Sequence, residues 1–293
     1  MSRTKIAVAL IHGIGKQDPN FAEPMMELLR QGFAGRLREF GEGVGEDLVL
    51  RPVYWAPVLQ RREDILWERV KAEHDLDYLT LRQLMIDLAA DGLAYQPARR
   101  EQVIYDDVHA VFADAMRTLA EGAGTTAPLC CVAHSLGTVI ASNYFYDLQA
   151  RKYSDSLRSL IRDNPLEQGK TLTLFYTMGS PIAIWSLRFP KSGAADEFGK
   201  PIDVPSKDLM TFYPNLLGEW INFFDEDDII AYPLRVLNSE YAARVNDQPV
   251  NAGNWLTSWN PASHLGYWTN KDVINAIVDG LVRTWKNVNR IGS

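Results

Sequence analysis

Leu129-Cys130-Cys131-Val132-Ala133-His134-Ser135-Leu136-Gly137-Thr138-Val139-Ile140-Ala141 passes from an apolar run, through a short turn, into a helix start. Consecutive apolar residues without polar alternation suit a strand buried on both faces of a parallel sheet. A helix is expected over Thr138 to Arg151. Ser135 then sits at the apex of a sharp strand-to-helix turn. Such a turn lifts the hydroxyl clear of the sheet and aims the next backbone N–H, that of Leu136, toward the same space. Strand and helix pass close together there, so small neighbours are needed, and Ala133 and Gly137 supply them. Ser135 is therefore a candidate nucleophile. A serine in this place can also be no more than a helix cap, so the rest of the chain has to decide.

Outward from this stretch the same alternation repeats. Ile6 to Ile11 is an uninterrupted apolar run ending in His12-Gly13-Ile14-Gly15. Phe21 to Phe40 places Met25, Leu28, Leu29, Phe33 and Leu37 at helical spacing. Leu48 to Trp55 and Thr171 to Thr177 read as further strands. The latter runs into Met178-Gly179-Ser180-Pro181. Trp220 to Phe224 is a strand leading into Asp225-Glu226-Asp227-Asp228. A loop is expected over about 188–218, and another, rich in asparagine, after the acidic quartet. Lys271 to Val288 reads as the last helix. Strands alternating with helices predict an α/β fold, with a mostly parallel central sheet covered by helices on both faces. Sites in such sheets gather at the carboxyl ends of the strands, where the glycine loop, Ser135, Gly179 and the acids all fall.

Residues 58–122 read as almost wholly helical, with one stretch from Ile65 to Val70, one from Leu81 to Leu88 and one from Val103 to Ala120. This block precedes the strand before Ser135 and could be a lid, a partner surface or a layer packed on the sheet. The 293 residues, 46% of them hydrophobic, can form one large domain spanning 1–293. A net charge of −7 argues against a nucleic-acid backbone or an anionic membrane surface as the main partner. Ile6 to Ile11 is too short to span a membrane, and no cleavage-site pattern follows it. Cys130 and Cys131 are adjacent on a strand, so they face opposite sides and are poorly placed to bridge. They read as small core residues of a reducing compartment, and the chain as soluble and cytoplasmic.

The histidines are His12, His74, His109, His134 and His264. His134 lies beside Ser135 and cannot easily face its hydroxyl. His12 reads as a brace for its loop. His74 and His109 belong to the charged helical block. His264 lies in Ser263-His264-Leu265-Gly266-Tyr267-Trp268, just before the last helix, and is the candidate general base. The glycine loop is not a phosphate loop: Asp18 occupies the third-glycine position, and Lys16 lacks a Walker pattern. The acidic quartet lacks calcium-loop spacing, and no zinc pattern occurs, so no metal is expected. Trp55, Trp67, Trp185, Phe189, Trp255, Trp259 and Trp268 could line an acyl pocket, although core packing is the commoner fate of such rings.

Taken in order, His12-Gly13-Ile14-Gly15, Ala133-His134-Ser135-Leu136-Gly137, the acids at Asp227 and Asp228, and Ser263-His264-Leu265-Gly266-Tyr267-Trp268 resemble the α/β-hydrolase superfamily, especially bacterial lipases and esterases. The resemblance covers about 6–288. It departs from the family at Ala133, where the usual motif has glycine, and in the place of the helical block. What it implies is a serine hydrolase cleaving acyl esters through a Ser135 acyl-enzyme, with His264 as base. Asp228 is the implied acid, because Ile229-Ile230-Ala231 follows it, with Asp227 as the alternative. The N–H groups of Leu136 and Ile14 would hold the oxyanion, with Gly15 as the alternative to Ile14. The implied partner is a small-molecule acyl ester, with no cofactor. An acyltransferase or amidase would share these residues, whereas a silent binding scaffold, the remaining alternative, has no need of all three of Ser135, His264 and Asp228.

Overall fold

A computed structural model describes residues 3–14, 17–42, 45–58, 65, 68–69, 95, 103–187, 198–253 and 263–289. Among the described residues, six strands form one parallel sheet: β1 (Ile6–Ile11), β2 (Leu48–Val53), β3 (Leu129–His134), β4 (Leu172–Met178), β5 (Glu219–Phe224) and β6 (Val245–Pro249). Their spatial order is β2-β1-β3-β4-β5-β6. In register, Ile11 of β1 lies beside Ala133 of β3, which lies beside Thr177 of β4, which lies beside Asn222 of β5. The four carboxyl ends that carry the sequence signals are therefore neighbours along one edge.

Each inner strand divides its side chains between two hydrophobic layers, as its two-residue period requires. Ala7, Ala9, Ile11, Cys131 and Ala133 join the layer under α2 (Val103–Ala123) and α3 (Leu136–Ala150). Ile6, Val8, Leu10, Cys130 and Val132 join the layer under α1 (Glu23–Glu39) and α8 (Lys271–Asn289). The two cysteines are free and buried on opposite faces. Short helices α4 (Asp155–Leu160), α5 (Ile182–Ser186), α6 (Leu209–Phe212) and α7 (Ser239–Arg244) complete the described set. No helix among the described residues is long and apolar enough to cross a membrane.

Some details differ from the sequence expectation. Helix α3 begins at Leu136, immediately after the serine, rather than at Thr138. The expected loops contain α6, α7 and β6. Strand β6 is one of the two sheet edges, paired on one side only among the described residues, so it carries no apolar run, and its sequence Val-Asn-Asp-Gln-Pro does not read as a strand. Its Asp247 carboxylate accepts bonds from Asn222 Nδ2 at 2.8 Å and from the Leu234 and Arg235 N–H groups, which ties β5 to the segment that follows it. In the helical block, α2 packs on β1 and β2 as part of the core. Of the first earlier stretch only residues 65, 68 and 69 are described, and the second stretch, His74 and Trp67 lie outside the described residues. So do Phe189, Trp255 and Trp259. Trp55 is buried, while Trp185 and Trp268 are half-buried.

Candidate active site

Ser135 has φ 53° and ψ −131°. This left-handed φ is rare for a residue with a Cβ and costs of order 1–3 kcal/mol unless its surroundings impose it. The surroundings do. The Ser135 N–H donates to the Met178 carbonyl at the end of β4, at 2.9 Å. The Ser135 carbonyl accepts from the Thr138 N–H at 2.9 Å and from Thr138 Oγ1 at 2.7 Å. Thr138 Oγ1 in turn meets Ser180 Oγ, just past β4, at 2.8 Å. The backbone is thus fixed, but the side chain is not spent on it. Ser135 Oγ makes no capping bond and is buried without a hydrogen-bond partner among the described residues. The helix-cap explanation of this serine therefore fails.

The loop after β1 lies directly on the serine. A Cβ built on Gly13 would stand 2.3 Å from Ser135 Cβ and 2.9 Å from Ser135 Oγ. A Cβ on Gly137 would stand 2.4 Å from the His12 carbonyl oxygen. Both glycines are needed for space, which lets the loop and the start of α3 touch. The Ile14 N–H follows on this loop, and the Leu136 N–H heads α3, where the helix supplies no acceptor. Gly15 and Lys16 lie outside the described residues.

His12 braces that loop, as expected. Its Nδ1–H faces the Gly13 carbonyl at 2.7 Å, and its Nε2 accepts from the Trp55 and Ala56 N–H groups at 3.2 and 3.3 Å. Trp55 Nε1 donates to the His12 carbonyl at 3.0 Å, and the two rings stack. Burial pushes the His12 pKa down to about 3, so the ring is neutral.

His264 lies on a 3₁₀ turn, Ser263–Thr269. Its Nδ1 is 2.7 Å from Asp228 Oδ2, with both side chains buried. Its Nε2 is buried and has no partner among the described residues. The ring reaches the serine's neighbourhood: a Cβ on Gly179, next to Met178, would stand 3.0 Å from His264 Cε1. His109, by contrast, is buried against Tyr95, whose hydroxyl lies 2.8 Å from its Nε2.

The acids sort themselves by the turn they form. The Asp228 N–H donates to the Asp225 carbonyl at 3.1 Å, closing a turn past β5. Glu226 and Asp227 face solvent, whereas Asp225 and Asp228 turn inward. Asp225 braces the chain at the Ala252 and Gly253 N–H groups. Asp228 faces His264, and Asp227 does not. Burial alone would raise the Asp228 pKa. The bond and charge of His264, the Ile230 N–H at 3.0 Å and the Tyr267 hydroxyl outweigh it and hold the carboxyl below its usual value.

Two residues have contacts that the sequence reading did not anticipate. His134 Nε2 lies 2.6 Å from the His264 carbonyl. Burial, followed by the neighbouring His264, brings its pKa down to about 3, so neutral His134 donates this bond. Tyr267 donates its hydroxyl proton to Asp228 Oδ2 at 3.0 Å and accepts the Asp225 N–H at 2.8 Å. Burial and then the Asp228 charge raise the phenol pKa, so it keeps its proton. The available signal was spacing: at three residues per turn, His264 and Tyr267 eclipse on a 3₁₀ helix and point the same way. No protein-family model matches the chain, and no curated protein matches it either.

Proposed function

We propose that this protein is a serine carboxylester hydrolase of α/β-hydrolase type, acting on acyl esters through a Ser135 acyl-enzyme. The supporting observation is a pair of buried atoms without partners among the described residues, Ser135 Oγ and His264 Nε2, with His264 Nδ1 anchored on Asp228. Leaving a buried polar atom unpaired costs about 1–3 kcal/mol. Catalytic groups are a common reason for keeping such atoms, and their mutual bond often tightens only when substrate arrives.

In the proposed mechanism, Ser135 Oγ attacks the ester carbonyl while His264 Nε2 takes its proton. Asp228 holds the Nδ1–H tautomer and stabilises the imidazolium. The Leu136 and Ile14 N–H groups meet the developing oxyanion. Collapse expels the alcohol, which His264 protonates. Water, deprotonated by His264, then attacks the acyl-enzyme and returns Ser135. His12 and His134, both neutral, take no part in proton transfer. A cytoplasmic location fits the two free, buried cysteines.

The test is turnover of p-nitrophenyl esters of graded acyl length by the purified protein. Saturable release of p-nitrophenol is expected for at least one chain length. No turnover across the series would overturn the reading.

A further inference from the structure

We infer that Tyr267 is a positioning residue that locks the Asp228 carboxylate in its working orientation; this rests on the hydrolase reading above. One phenolic oxygen both donates and accepts on the acid's turn. It donates to Asp228 Oδ2 at 3.0 Å and accepts the Asp225 N–H, at the end of β5, at 2.8 Å. The ring is fully buried. His264 and Tyr267 share one 3₁₀ turn and converge on the same oxygen, Oδ2. The other oxygen, Oδ1, is held by the Ile230 N–H at 3.0 Å.

The geometry has a mechanical consequence. A carboxylate rotates about its Cβ–Cγ bond unless both oxygens are fixed. Ile230 fixes one. His264 Nδ1–H bonds the other throughout turnover, but the strength of that bond changes as Nε2 gains and loses its proton. Tyr267 is the neutral donor that stays in place throughout. It also links the end of β5 to the acid, so the carboxylate and the base keep one spacing from the sheet edge. Tyr267 touches no reacting atom and acts through Asp228.

A double-mutant cycle tests this. Tyr267→Phe should lower kcat by about 10- to 100-fold, the effect of losing one hydrogen bond to a charged group, with KM unchanged. In an Asp228→Asn background the same substitution should add little, because the carboxylate it serves is gone. An equal factor in both backgrounds, or an undiminished kcat in the single variant, would overturn the inference.

A second measurement covers a Tyr267→Phe chain that does not fold and is independent of turnover. Site-specific 3-fluorotyrosine at position 267 keeps the contacts and makes the phenol a stronger donor. Because Tyr267 and His264 share Oδ2, the His264 Nδ1 proton resonance should move upfield. An unmoved resonance would overturn the inference. If the wild type hydrolyses no ester, the hydrolase reading falls, while this resonance still decides whether Tyr267 controls the acid.

Discussion

Asp228→Asn should lower kcat by about 10⁴, while Asp227→Asn leaves it unchanged. The asymmetry follows from the turn past β5. Asp228 Oδ2 accepts the His264 Nδ1–H at 2.7 Å, and Asp227 faces solvent one residue earlier. An asparagine amide can offer an N–H to Nδ1, which moves the imidazole proton to Nε2. Nε2 could then no longer accept the serine proton. Stability should report the same carboxylate. Its pKa is lowered in the folded chain, so its ionised form stabilises the fold above the unfolded value of about 3.9. That contribution is lost as pH falls from there through the lowered folded value. Denaturation of the wild type and of Asp228→Asn should therefore differ at pH 7 and converge in acid. A reversed pair of kcat effects would make Asp227 the acid.

Gly13→Ala should lower kcat/KM by at least about 10³ and destabilise the fold by about 1–3 kcal/mol. The added methyl would stand 2.3 Å from Ser135 Cβ, where carbon atoms prefer about 3.5–4.0 Å. Neither side yields cheaply. The serine is held through Met178 and Thr138, and the loop through the stacked pair of His12 and Trp55. Relief has to displace the Ile14 N–H, the nucleophile or both. Losing one oxyanion donor accounts for 10²–10³ of the effect, and a displaced nucleophile adds to it. Thermal melting beside ester kinetics separates the two effects. A variant with wild-type kinetics would remove the β1 loop from the site.

Strands β1 and β3 were legible because strands buried on both faces are mostly apolar, as Ile6–Ile11 and Leu129–Ala133 are. Strand β6 was not legible. An edge strand satisfies half its backbone elsewhere and uses Asp247 as a bonding post, so its residues look like a loop. Ser135 stood out because it lies between an apolar run and a helix start, Gly13 because its glycine loop follows an apolar run, and His264 because it lies just before the last helix. Choosing between Asp227 and Asp228 needed the turn, since adjacent carboxylates differ only in the direction they face. The contacts of His134 and Tyr267 were hidden for a related reason. Each acts on a residue distant in sequence, His134 on the His264 carbonyl and Tyr267 on Asp225 and Asp228.

The central claim is that Ser135 Oγ is a nucleophile activated by His264. The most direct measurement is covalent labelling by a fluorophosphonate, with the adduct located by peptide mass spectrometry. Phosphonylation of the peptide containing Ser135, lost in Ser135→Ala and strongly slowed in His264→Ala, is the predicted result. An unlabelled wild type, or a label that persists at another residue in Ser135→Ala, would contradict it.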